Sequence, residues 1–176
     1  GGVPLYLLAA FVEQTVNGQS IFVSVRSKGR RHLMKSILLV SIKFLMVYAI
    51  FWLMAGLIGA SLFSTGLTIV SFRFLLYAVL MKCLDILAQY LIMLGIYIAT
   101  RQVTIGFLVL VAGNLLCVLP GNWVAYSPFG LSSLTRISVV EPGIGISAVS
   151  AFGIEAAIST LMIAGILMCG YKKILN

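Results

Sequence analysis

The chain has 176 residues, of which 61% are hydrophobic and 9% charged, and its mean hydropathy is +1.15. Soluble domains are about half apolar and roughly a quarter charged, so this composition excludes an ordinary soluble domain and predicts an integral membrane protein. The net charge is +8, and most basic residues lie near the ends of apolar segments, which is typical of topology signals and not of nucleic-acid binding.

The first apolar stretch, residues 3–12, is shorter than the roughly 20 residues that a spanning helix needs. We interpret it as the end of a span that begins before Gly1, or alternatively as an interfacial segment. Residues 13–35 form the extended polar region that follows, with a short surface helix predicted over 13–25 and a break at Gly29. This region carries five basic residues, Arg26, Lys28, Arg30, Arg31 and Lys35.

Four full spans are predicted after this basic cluster, over residues 37–63, 72–99, 104–119 and 148–170. The segment 120–147 contains three prolines and interleaved aromatic residues. It is too apolar for a free loop and too broken for a span, so we interpret it as an external, re-entrant hairpin in the outer leaflet. The predicted fold is therefore a single all-α transmembrane domain over 1–176, a polytopic helical bundle.

The distribution of basic residues predicts the orientation of this bundle. With the 13–35 region inside, eight basic residues lie on the inner side, including Arg101, Lys172 and Lys173, and two lie outside, Arg73 and Arg136. Lysine and arginine favour the cytoplasmic side. We therefore predict a multi-pass protein of the cell membrane, with the 13–35 region and the C-terminus in the cytoplasm.

Five charged residues lie inside predicted spans. Lys43 and Arg73 lie toward span ends, whereas the other three, Lys82, Asp85 and Glu155, lie deeper. Lys82 and Asp85 are three residues apart and share a helix face, and Glu155 lies about 10 Å into the last span at 1.5 Å per residue. Lys82 and Asp85 are either a self-neutralising pair that orients the helix or the polar lining of a substrate path or proton relay. Glu155 is expected to face Lys82, Arg136 or the re-entrant segment.

The motifs of common enzyme classes are missing from the sequence. There is no G-x-S-x-G elbow, no H-E-x-x-H motif and no set of residues with metal-ligand spacing, and the one histidine, His32, is interpreted as a solvated loop residue. The sequence also has no G-x-x-x-x-G-K-[ST] loop. We therefore predict neither catalysis nor a cofactor in this chain, and if ATP is used, a partner supplies the site.

The region from Glu13 to Lys35 resembles the membrane subunit of an ABC-2 type ABC transporter, with a type V exporter-like membrane domain. The resemblance is carried by Glu13, Gly18, the pair Arg30-Arg31 and Lys35, followed by two spans, a third ending outside, a re-entrant segment and a last span. It implies that 13–35 is a cytoplasmic coupling helix and that the family's first span is absent from this chain.

The resemblance also implies partners. A second permease subunit, identical or different, would pair with this one, and two ATP-binding cassette ATPase subunits holding ATP and Mg²⁺ would lie beneath. The coupling residues would be Glu13, Gly18, Arg26, the pair Arg30-Arg31 and Lys35, while membrane lipid surrounds the spans and nucleic acid is not a partner.

The function predicted on this basis is that of an exporter permease, moving a peptide, lipid or other amphipathic substrate in a bacterial cell membrane. One alternative is a non-transporting membrane scaffold or assembly subunit. Another is a proton-coupled secondary carrier that uses the intramembrane charges, although the chain shows no inverted repeat.

Overall fold

A computed structural model describes residues 2–26, 30–63, 69–117, 126–127, 129, 131 and 146–170. In this part of the chain the regular structure is helical, which confirms the predicted all-α class. There are five α-helices, and a π-helical turn continues the last of them. These are α1 Gly2–Arg26, α2 Arg30–Phe63, α3 Ile69–Thr100, α4 Val103–Leu116, α5 Ala148–Gly165 and the π turn Ile166–Gly170.

Three helices have the length and apolar composition needed to cross a membrane: Met34–Leu62, Phe72–Thr100 and Ala148–Met168. They overlap three of the predicted spans, and on this ground the chain is a membrane protein. The remaining prediction, a span over 104–119, corresponds to α4, which has only 14 residues. At 1.5 Å per residue α4 is about 21 Å long, less than the roughly 30 Å of a hydrocarbon core.

Helix α1 continues without interruption through Glu13 to Arg26. The sequence predicts that a span ends before residue 13 and that a separate surface helix follows. In the structure one helix runs through both segments. Buried side chains recur along α1 with helical spacing and form one stripe against the rest of the bundle. They are Leu5, Leu8, Ala9, Val12 and Val16.

Helix α3 is the centre of the described bundle, since it packs against α1, α2, α4 and α5. In its apolar part 56% of the residues are buried, compared with 22% in α2 and in α5. The Tyr90 hydroxyl, fully buried on α3, lies 2.7 Å from Ser41 Oγ on α2, which also bonds the Ile37 carbonyl at 2.9 Å. This buried polar contact fixes how α2 sits against α3.

A two-residue turn reverses the chain between α3 and α4. Arg101 has a φ of 62°, a left-handed conformation that is uncommon for residues other than glycine, and its N–H donates to the Tyr97 carbonyl at 2.7 Å. The hairpin packs closely because Gly106 of α4 has no side chain. A Cβ there would lie 3.0 Å from Met93 Cγ and 3.1 Å from the Met93 carbonyl oxygen.

Little of the segment between α4 and α5 is described, so most of the predicted re-entrant hairpin at 120–147 lies outside the described residues. Two side chains from it pack against the helices. Leu131 is buried with Met81 of α3 and Ala151 of α5, and the ring of Phe129 lies so close to Gly113 of α4 that a Cβ there would be 2.7 Å from it.

From Met46 onward α2 has many exposed large apolar side chains, whereas its buried residues, such as Met34 and Ile37, lie in the first half of the helix. Those more than half exposed are Met46, Val47, Ile50, Phe51, Trp52, Met54, Ile58 and Leu62. Gly56 makes a close contact with α3, since a Cβ there would lie 2.7 Å from Leu75 Cδ1, whereas nothing lies within 4 Å of a Cβ at Gly59. In a bilayer this face would contact lipid or another helix.

Candidate functional site

A buried carboxylate on α3 is the centre of the polar cluster in this apolar bundle. The side chain of Asp85 is only 1% exposed. Lys82 Nζ donates to Asp85 Oδ2 at 2.9 Å, and Gln89 Nε2 donates to Asp85 Oδ1 at 2.6 Å. The three residues are spaced three and four apart, so one face of α3 supplies the ion pair and the second donor without help from another helix.

The cluster extends from α3 to α4 through an amide. Asn114 Nδ2 donates to Gln89 Oε1 at 3.3 Å and to the Leu110 carbonyl at 2.8 Å. Asn114 therefore holds the end of α4 against the middle of α3. Sequence reasoning missed both amides, although the position of Gln89 four residues after Asp85 was a usable signal.

Glu155 is the third intramembrane charged residue, and it lies on α5 with its side chain fully buried. It interacts electrostatically with Asp85 and Lys82 of α3. Within the described part of the chain neither of its carboxyl oxygens has a hydrogen-bond partner, and the buried hydroxyl of Ser159, one turn further along α5, has none either. The predicted contact with Arg136 lies outside the described residues.

A cavity of about 340 Å³ adjoins this cluster, between α1, α3 and α4. Lys82 reaches it, and its side chain is 43% exposed. The cavity has an apolar wall and a polar edge. Its lining includes Leu5, Lys82, Gln89, Phe107, Leu110 and Asn114.

Of the predicted coupling residues, Glu13 and Lys35 have described side chains. Glu13 is exposed on α1 and Lys35 is exposed near the start of α2. The backbones of Gly18 and Arg26 belong to α1 and those of Arg30 and Arg31 to α2, whereas their side chains lie outside the description. Glu13 and Arg101 both interact electrostatically with Tyr97, near the C-terminal end of α3. Tyr97 is twelve residues, or about 18 Å, along the helix from Asp85.

No group of three or more His, Cys, Asp or Glu residues that could hold a metal ion occurs among the described residues. His32 is exposed. Cys83 is half-buried, and Cys117 is buried with its Sγ 3.4 Å from Ser127 Oγ. The site therefore offers carboxyl, amine, amide and hydroxyl groups, which can bind polar groups and protons.

The fold and the site define an all-helical membrane protein with a polar cluster halfway along its central helix. Comparison of the chain with protein-family models, with curated proteins and with solved structures finds no match. The ABC-2 resemblance and the function that it implies therefore stay predictions.

Proposed function

We propose that this chain is the membrane-spanning permease subunit of an ATP-driven exporter, and that a separate ATPase subunit supplies the energy. The observation that carries the proposal is the hydrogen-bonded cluster of Lys82, Asp85, Gln89 and Asn114 beside a half-open cavity of the apolar bundle. Charged residues in spans are costly and mark pathways for polar groups. A volume of about 340 Å³ lies within the range of small-molecule sites.

The lining of the cavity supports an amphipathic substrate. Phe107 and Leu110 provide apolar contact, while Lys82, Gln89 and Asn114 provide polar groups. A molecule with an apolar body and a polar or anionic end matches this mixed lining. Peptides and lipids, the cargo classes predicted from the resemblance, have this character.

The connection between α1 and α2 supports a role in coupling. The two helices are separated by residues 27–29 alone, and both pack against α3. A force applied by an ATPase near Arg26 or Arg30 would therefore reach α3 through two helices at once. The basic residues of this region would meet acidic groups on such a partner.

The short length of α4 supports a re-entrant segment after it. Asn114, near the end of α4, bonds Gln89, which is about 17 Å from the end of α3 at Thr100. At the start of α5, the Ala148 carbonyl lies 3.4 Å from the hydroxyl of Tyr77, in the first half of α3. The intervening chain therefore begins beside the middle of the central helix, as expected of a segment that dips into the bilayer.

Purification and transport assays test the proposal. We expect an ATPase to copurify with the protein and its hydrolysis rate to change when the protein is present in liposomes. Glu13→Ala should keep the complex intact while uncoupling hydrolysis from transport, and Gln14→Ala, at the exposed neighbouring position, should leave coupling unchanged. Normal transport by the Glu13→Ala variant would show that the coupling assignment is wrong.

The scaffold alternative draws on one observation, the open surface of α2 at Gly59, which leaves room for a partner helix. A scaffold would bind its partner without moving any solute. A partner that copurifies while reconstituted liposomes show no ATP-dependent transport would favour this alternative over the permease.

A further inference from the structure

Three buried side-chain oxygens on α5, which belong to Glu155 and Ser159, are not part of the hydrogen-bonded polar cluster. Both carboxyl oxygens of Glu155 and the hydroxyl of Ser159 are inaccessible and lack hydrogen-bond partners among the described residues. Glu155 is 0% exposed and Ser159 4%. Buried polar atoms are normally satisfied, and an ionised carboxylate is the most costly group to leave without a partner.

Among the described residues, the charges around Glu155 do not balance if its carboxyl is ionised. The charged groups that act on it from the packed helices are Asp85 and Lys82, both on α3, and these two already neutralise each other in an ion pair. Helix α4 and the rest of α5 contain no charged residue, and Lys43 of α2 is exposed. Two further titratable side chains of α3 are the half-buried thiol of Cys83 and the hydroxyl of Tyr77, which bonds the Ala148 carbonyl.

An ionised Glu155 would therefore place one net negative charge in the apolar interior of the bundle, close to the carboxylate of Asp85. Adding a single proton removes that charge and converts one carboxyl oxygen to a donor. Ser159, four residues further along the same helix face, offers a hydroxyl that can accept from it after a small side-chain rotation.

We propose that Glu155 is a proton-binding site in the interior of the bundle, and that the folded protein holds this carboxyl in its neutral form between α3 and α5. The proposal does not depend on the exporter function. Its physical consequence is that loss of the proton sets two like charges against each other across the α3–α5 interface. The packing of α5 on α3 is then sensitive to proton release.

Infrared spectroscopy of the protein in a detergent without ester groups at neutral pH tests the proposal directly, because a carboxylic acid has a C=O stretch that a carboxylate lacks. We expect the carboxylic acid band in the wild-type protein, its loss in Glu155→Gln, and its retention in Asp85→Asn. Glutamate labelled with ¹³C at the side-chain carboxyl should shift the band without any substitution. Since the other glutamates of the sequence are Glu13 and Glu141, that shift assigns the band to a glutamate and not to Asp85, even if the variants do not fold. Absence of the band from the wild-type protein would overturn the proposal.

A second arm addresses the possibility that a cation from outside the described residues neutralises Glu155. Arg136→Gln should leave the infrared band unchanged if a proton is the occupant. A band that is missing from the wild-type protein and emerges in Arg136→Gln would instead identify an arginine counter-ion.

In thermal unfolding, the wild-type midpoint should fall as the pH rises, because the folded state then binds more protons than the unfolded state. Glu155→Gln should reduce this dependence.

Discussion

Replacing Lys82 with methionine should destabilise the bundle, because it removes one of the two donors to a buried carboxylate. Methionine keeps the unbranched apolar stem of lysine, so the change in packing is small. Breaking a fully buried ion pair by removing one partner costs about 3–5 kcal/mol. Since Lys82 is 43% exposed and Gln89 Nε2 remains 2.6 Å from Asp85 Oδ1, we expect a smaller loss in unfolding free energy, about 2–3 kcal/mol.

The double variant Lys82→Met/Asp85→Leu separates the ion pair from other effects. It removes both charges and leaves the Gln89 amide short of its Asp85 partner, at a cost of about 1–2 kcal/mol. The double variant should therefore be more stable than Lys82→Met alone. Lys43→Met is a matched control on α2, where the lysine is exposed, and it should change stability by less than about 0.5 kcal/mol.

Reversible unfolding in mixed micelles, followed by tryptophan fluorescence while the denaturing detergent is increased, measures these free energies. Together these variants form a double-mutant cycle, which also needs Asp85→Leu as the second single variant. A double variant that loses the full sum of the two single losses would refute the reasoning, since the two side chains would then act independently.

Further predictions concern helix packing and orientation. Tyr90→Phe removes a buried hydroxyl shared between α2 and α3 and should cost about 1 kcal/mol in the same unfolding assay. Gly106→Ala should cost about 1–3 kcal/mol because the new Cβ meets the α3 backbone, whereas Gly59→Ala, with open space around it, should cost nothing measurable. In a background without native cysteines, Tyr126→Cys should react with an impermeant maleimide in intact cells and Lys35→Cys only in inverted vesicles; the opposite pattern would invert the topology.

The long helices could be predicted from the sequence because the bilayer demands a minimum apolar length. The apolar runs that correspond to α2, α3 and α5 meet this demand on their own. Helix α4 ends at Leu116, a few residues earlier than the predicted span, shortly before Pro120. Helix α1 extends past Glu13 because one glutamate in an apolar run does not break a helix, and Gly18 costs it only about 1 kcal/mol.

Within the polar cluster, the sequence could predict only the contacts between residues of the same helix. Lys82 and Asp85 form an ion pair through their spacing on one helix, which can be seen without knowing the packing. The bond from Asn114 to Gln89, and the contact between Ser41 and Tyr90, depend on which faces of α2, α3 and α4 meet. Those faces are set by the whole bundle, since each helix is apolar nearly all round and its sequence alone does not select one side.

The central position of α3 has a consequence for how the protein assembles during synthesis. Helices α1 and α2 emerge from the ribosome first, yet they contact α3 more extensively than they contact each other. Until α3 inserts, α1 and α2 lack the helix that each of them contacts most among the described residues. Stable packing of α1 and α2 therefore depends on α3, which is synthesised later and carries a costly charge pair. Any factor that helps α3 insert controls the yield of folded protein.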